Sequence, residues 1–207
     1  MFAEEEARLL GDRPDLVARR CNGERLEHVL GWVDFGGVRL HVEPGVFIPR
    51  PQTVRLAVSA AARRPRLALD LFSGCGAIAA VIADRNPTAR VVACELHVSD
   101  SLRRNVREVI ASDVDGGVPV DLEGRVDVLT ANVPYVPTAE LQYVPHEGEP
   151  AEALDGGPDG LDWVRRVLEV APRWLAPDGA VFVEVAHHQR RHLPATPFEL
   201  VVFSPDS

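Results

Sequence analysis

From residue 67 onward, short apolar runs alternate with amphipathic stretches. Residues 67–72, 90–95 and 126–131 are apolar runs bounded by glycine, proline or charged turns, and each reads as a buried strand. Residues 77–84, 99–110 and 159–175 carry apolar positions at helical spacing, with Ser99 placed to cap the second of these helices. Residues 180–185 predict a strand after the Pro177-Asp178-Gly179 turn, and residues 198–203 a last one. Strands alternating with helices predict an α/β fold, a mostly parallel sheet with helices on both faces. Ahead of it, residues 2–10 and 14–20 read as helices split by Gly11 and Pro14. Trp32, Val33, Phe35, Val38, Leu40 and Val42 flank Gly36-Gly37, the pattern of a β-hairpin with a glycine turn. Pro44, Pro49 and Pro51 then punctuate the chain before a helix over residues 53–64.

The 207 residues suit one such domain with a short extra segment, and 46% hydrophobic with 26% charged residues supports a packed core. No apolar run approaches the length of a membrane span. Met1 leads into Glu4-Glu5-Glu6, the wrong sign for a secretory signal, so the expectation is a cytoplasmic protein without a membrane partner. The formal net charge is −9, and every one of the 22 basic residues is arginine. That balance argues against nucleic acid as a partner, and Arg63-Arg64, Arg103-Arg104 and Arg190-Arg191 read as solvated surface. Cys21, Cys75 and Cys94 lack metal or redox spacing and read as reduced thiols. His187, His188 and His192 have no completing ligand, so no metal site is expected.

Two constellations carry chemistry. Asp70-Leu71-Phe72-Ser73-Gly74-Cys75-Gly76 leaves a strand and enters a helix, where Gly74 and Gly76 permit a tight turn against a ligand. Glu95 ends the next strand nineteen residues after Gly76, where a carboxylate can take both hydroxyls of a ribose. Together these make an adenosine-binding edge, and at this point nicotinamide dinucleotide fits as well. The second constellation is Asn132-Val133-Pro134-Tyr135, directly after a strand. An amide nitrogen is a poor nucleophile because its lone pair is delocalised. Two acceptors holding both N–H groups, the Asn132 side-chain oxygen and the Val133 carbonyl, would aim that lone pair. Pro134 fixes its own φ and keeps the carbonyl in place, and Tyr135 offers an aromatic wall to a flat substrate. Nothing in this tetrapeptide serves hydride transfer.

The chain resembles the protein-(glutamine-N5) methyltransferases that modify peptide-chain release factors, whose signature Asn-Pro-Pro-Tyr is similar to Asn132-Val133-Pro134-Tyr135. Further matches are residues 23–31, Phe47-Ile48-Pro49-Arg50-Pro51, Glu149-Pro150, Ala153-Leu154-Asp155-Gly156-Gly157, Asp159-Gly160-Leu161, and Glu184 with Gln189. The resemblance implies a class I, Rossmann-like methyltransferase using S-adenosylmethionine. It implies that Phe72 to Gly76, with Asp70, wrap the methionine and ribose, that Glu95 holds the ribose, and that Asp113-Val114 meet the adenine. Asn132 to Tyr135 would hold the target amide, with Asn132 also near the cofactor. It implies a glutamine-bearing protein or peptide as substrate, release factors among them. Residues 1–43 would be a reduced substrate domain and residues 44–207 the methyltransferase domain.

Departures from the family pattern set further expectations. Val133 replaces a proline, loosening the loop but keeping the carbonyl. Glu95 replaces aspartate. Phe72 replaces a glycine and is expected to crowd the cofactor. The third strand is expected to be abbreviated, and a shortened C-terminal sheet edge would leave apolar surface for oligomerisation to cover. Alternatives are methylation of another small-molecule or nucleobase nitrogen, a non-catalytic relative that keeps the fold, and a nicotinamide-dependent oxidoreductase.

Overall fold

Residues 67–71 run Leu-Ala-Leu-Asp-Leu, and every one is buried because both faces of this strand are covered. The computed structural model describes residues 4–205, so residues 2 and 3 of the first expected helix lie outside the described residues. The strands of the main sheet are β3 (Leu67–Leu71), β4 (Arg90–Glu95), β5 (Glu108–Ala111), β6 (Val126–Ala131), β7 (Leu175–Glu184) and β8 (Glu199–Phe203). They lie in the order β5-β4-β3-β6-β7-β8, and all neighbours pair in parallel.

Alternation along each strand sorts the core into two layers. Leu67, Leu69 and Leu71 join Val92, Cys94, Leu129 and Val181 beneath helix α7 (Asp162–Trp174), which contributes Val164, Val167, Ala171 and Trp174. Ala68, Ala93, Val128 and Ala180 face the other way, under α4 (Val54–Ala62) and α5 (Ala77–Arg85). Small residues on this second face let the Ala-rich helices approach the sheet closely.

The N-terminal part holds α1 (Glu4–Leu10), α2 (Pro14–Cys21), α3 (Leu26–Leu30) and the hairpin β1 (Trp32–Phe35) and β2 (Val38–His41). Both turn glycines have positive φ, 60° at Gly36 and 94° at Gly37, as a two-residue hairpin loop demands. A Cβ on Gly36 would fall 2.8 Å from Val81 of α5, so the hairpin tip rests on the main domain. Phe35 and Leu40 are buried in the same cluster as α4 and α5.

Two sequence expectations are corrected. The helix expected over residues 99–110 is α6 (Asp100–Asn105), and Glu108–Ala111 is instead edge strand β5. Its N-cap is as expected, since the Ser99 hydroxyl accepts from Leu102 N at 3.0 Å. Helical spacing ran on because a four-residue edge strand with one partner need not show a fully apolar run. The Pro177-Asp178-Gly179 turn does not precede β7 but bulges out of it: Val126 pairs with Leu175 and Val128 with Ala180. No helix among the described residues is long and apolar enough to cross a membrane, and none of them form a group suited to a metal ion.

Candidate active site

The chain switches direction between β3 and β6, where ligands settle in open α/β sheets. A cavity of about 630 Å³ opens there, over the carboxyl ends of β3, β4 and β6. The structure brings Phe72, Ser73, Gly74, Cys75, Glu95, Asp113, Val114, Asn132, Val133, Pro134 and Tyr135 to its wall. Asp70 and Gly76 do not line it.

Gly76 serves both conformation, with φ of 85°, and packing, since a Cβ there would lie 2.5 Å from Val106 and 2.8 Å from Leu102, at the end of α6. Gly74 serves conformation, with φ of 57° and open space around a Cβ. Its N–H donates to Glu95 Oε2 at 2.7 Å, while Glu95 Oε1 accepts from Leu96 N at 2.9 Å. The carboxylate therefore ties the glycine loop to the end of β4, and its remaining lone pairs stay available for a diol. Beyond it, Val114 at φ 52° presents a carbonyl held by the Ser112 hydroxyl at 2.9 Å. The Cys75 thiol is pushed up to about 12 by burial, so it stays neutral in the wall.

Asp70 sits fully buried beneath the loop, accepting from the Thr130 hydroxyl at 2.6 Å and from the Ser73 hydroxyl at 2.9 Å. Burial raises its carboxyl to about 6, the two hydroxyls opposing the rise. The folded chain then holds this proton more tightly than the unfolded chain does. Asp70's contribution to stability is complete below about pH 4 and is lost as pH climbs through about 6. Asp70→Asn mimics the neutral form. In urea unfolding, its stability relative to wild type is expected to improve by on the order of 3 kcal/mol between pH 4 and pH 7. A difference flat with pH would remove Asp70 as the titrating group.

The loop after β6 is held from below. Gln189, 1% exposed, donates from Nε2 to Tyr135 O at 2.8 Å and to Asp159 O at 3.1 Å, and accepts from Ala186 N at 2.8 Å. Gly156 and Gly160 form the rest of the cradle. A Cβ on Gly160 would meet Tyr135 O at 2.2 Å, and one on Gly156 would meet Pro134 O at 2.8 Å. Glu184 at the end of β7 bonds the Tyr135 side chain and accepts from Thr53 at 3.2 Å. Its carboxyl is raised by burial, against those two bonds. Asn132, by contrast, keeps its Oδ1 buried with no hydrogen-bond partner among the described residues. A buried acceptor left open costs stability unless something supplies a donor, and Asn132 Oδ1, on the cavity wall, is a candidate acceptor for a ligand N–H.

A second anchor holds the far rim. Glu149 accepts from Ile48 N at 2.8 Å and pairs with Arg50 at 2.6 Å. Phe47, under the Arg50 guanidinium at 4.6 Å, and Pro150 line the same cavity. Sequence reasoning gave Thr53, Arg50, Glu149, Glu184 and Gln189 no site role. Around Arg50, Thr53 and Glu149 the available signal was proline and glycine punctuation, and for Glu184 and Gln189 it was their match to the family pattern.

This parallel sheet, with its glycine loop, carboxylate and Asn-Val-Pro-Tyr loop at one edge, defines a class I methyltransferase fold. No protein-family model matches the chain. It is 40% identical over 180 residues to the release factor glutamine methyltransferase of Mycolicibacterium smegmatis, covering 82% of this chain and 64% of that one. It is 39% identical over 196 residues to the Streptomyces coelicolor protein of the same name, covering 87% and 69%. The chain is also 33% identical over 196 residues to a 4-amino-L-phenylalanine/4-methylamino-L-phenylalanine methyltransferase of Streptomyces pristinaespiralis, covering 86% and 67%. The chain belongs to the release factor glutamine methyltransferase family, and spans about two thirds of the length of these relatives.

Proposed function

We propose that the chain is an S-adenosylmethionine-dependent N-methyltransferase that modifies a glutamine side-chain amide in a protein, a release factor being the substrate its relatives' names suggest. The observation that carries this reading is the open Asn132 Oδ1, buried in the wall beyond the adenosine edge.

The residues present fit the cofactor. Glu95 offers a carboxylate for the ribose, the Phe72 to Gly76 loop a close backbone, and Asp113-Val114 a slot for the adenine. When bound, S-adenosylmethionine supplies an electrophilic methyl group on a positively charged sulfur. The chain's own part is alignment. Asn132 Oδ1 and the Val133 carbonyl accept the two amide hydrogens, which turns the nitrogen lone pair out of conjugation and fixes its direction. Gln189, Gly156 and Gly160 stop that loop from drifting. Orientation in a water-poor cleft contributes up to ~7–11 kcal/mol in well-aligned systems. The surplus proton on the methylated nitrogen goes to water, since it is acidic only once the bond has formed.

Glu95→Ala is expected to weaken binding of S-adenosylhomocysteine by ~1–3 kcal/mol, the worth of hydrogen bonds to a charged group. Calorimetric titration reads this directly, and an unchanged dissociation constant would move the ribose elsewhere.

The likeness to the 4-amino-L-phenylalanine enzyme favours a second reading, a free aromatic amine as methyl acceptor. The test offers both. The chain, methyl-labelled cofactor and either a release factor or 4-amino-L-phenylalanine are incubated, and label is located by mass spectrometry. Label on a glutamine supports the first reading, label on the aryl amine replaces it, and label on neither overturns both.

A further inference from the structure

Three non-glycine residues among those described have positive φ: Arg64, Phe72 and Val114. Two of them line the cavity. Both are outliers, Phe72 at φ 56° because its side chain is bulky and Val114 at φ 52° because it is β-branched. Strain of this kind persists where surrounding structure enforces it, and it collects at functional sites.

Phe72 stands where the family pattern has glycine, and it borders the cavity. Its ring leans on Trp163 of α7, centroids 5.6 Å apart and planes at 60°, and the cavity remains open beside them. Trp163 is itself fixed, its indole N–H donating to Asp155 O at 3.0 Å. Both residues line the cavity, and the paired rings give the strained Phe72 an aromatic buttress.

The sheet order says what that surface meets. Glu95 ends β4 and Asn132 follows β6, and β3, which Phe72 follows directly, lies between them. A cofactor whose ribose is at Glu95 and whose methyl group faces Asn132 must carry its sulfur across the end of β3. We propose that Phe72, backed by Trp163, presents its aromatic ring to the sulfonium, so that the site distinguishes charged S-adenosylmethionine from neutral S-adenosylhomocysteine. The inference rests on the methyltransferase reading. Aromatic rings attract cations through their quadrupole, and the attraction grows in a desolvated wall. Once the methyl group has left, sulfur is a neutral thioether and that attraction is gone, which favours product release over product retention. A glycine at position 72 would supply the same backbone without this selectivity.

The experiment is calorimetric titration of wild type, Phe72→Leu and Phe72→Tyr with each of the two ligands. Wild type is expected to bind S-adenosylmethionine roughly 5- to 30-fold more tightly than S-adenosylhomocysteine. Phe72→Leu keeps an apolar side chain without the quadrupole, so the preference should shrink to about twofold, mainly through weaker S-adenosylmethionine binding. Phe72→Tyr should retain it. Equal affinities in wild type, or a preference that survives in Phe72→Leu, overturns the aromatic assignment and leaves the methyltransferase reading intact. Binding of neither ligand to wild type overturns both. Should Phe72→Leu fail to fold, loss of the preference in Phe72→Tyr overturns the proposal, and the wild-type ratio still tests it.

Discussion

Replacing Asn132 by alanine is expected to cut methyl transfer by ~10²–10³-fold, the usual effect of deleting one preorganised hydrogen-bonding group at a reacting centre. Affinity for S-adenosylhomocysteine and thermal unfolding should change little. The reason lies in the open Oδ1. It supports nothing inside the chain, so its removal leaves no internal donor stranded, and the loss is confined to the bound substrate. The two measurements, steady-state turnover and calorimetry of the same preparation, separate chemistry from cofactor binding. Turnover within a few-fold of wild type would show that Asn132 does not hold the acceptor. A parallel collapse of stability would mean that it holds the loop.

The second large effect is on stability. Glu149→Ala is expected to destabilise the fold by ~2–4 kcal/mol, somewhat under the full cost of breaking a buried ion pair because Arg50 keeps some contact with water. The Glu149 side chain has no solvent exposure, that of Arg50 has 21%, and the carboxylate also takes the Ile48 N–H. Truncation strands both donors. Arg25, 4.0 Å from the same carboxylate with its Nε buried and unpartnered among the described residues, would lose that anion as well. Glu149→Gln keeps an acceptor for Ile48 and should recover about half of the loss. Urea unfolding decides: an alanine variant within ~0.5 kcal/mol of wild type would show that the pair contributes nothing net.

The central sheet was legible because its inner strands, such as Leu67–Leu71, are buried on both faces and read as mostly apolar runs, interrupted in this strand by Asp70. The edge strand Glu108–Ala111 was not, since it has one partner and half-exposed residues. Helix α3 escaped because five residues carry little more than one turn of periodicity. The contact between the glycine loop and the end of β4 was readable from Gly74 and Glu95, a local turn and a strand end at a fixed spacing. The supports of the target loop were not. Glu149 reaches Arg50 across 99 positions and Glu184 reaches Thr53 across 131, and no local pattern encodes such a meeting. Asp70 and Gly76 also belong to the glycine-loop pattern, and there the structure places one buried under the cavity and the other against α6.

The Gln189 clamp also bears on how the protein comes into being. The surfaces assigned to the adenosine lie between Phe72 and Val114 and lean on one another, through the Glu95 bond to Gly74. The loop that would receive the glutamine has its last support at Gln189 and its tyrosine tether on β7. During synthesis from the N-terminus, the nucleotide half has all of its own residues when the other half still lacks its keystone. The loop proposed to receive the glutamine therefore acquires its support only once residue 189 has been made, later than every residue of the proposed adenosine edge.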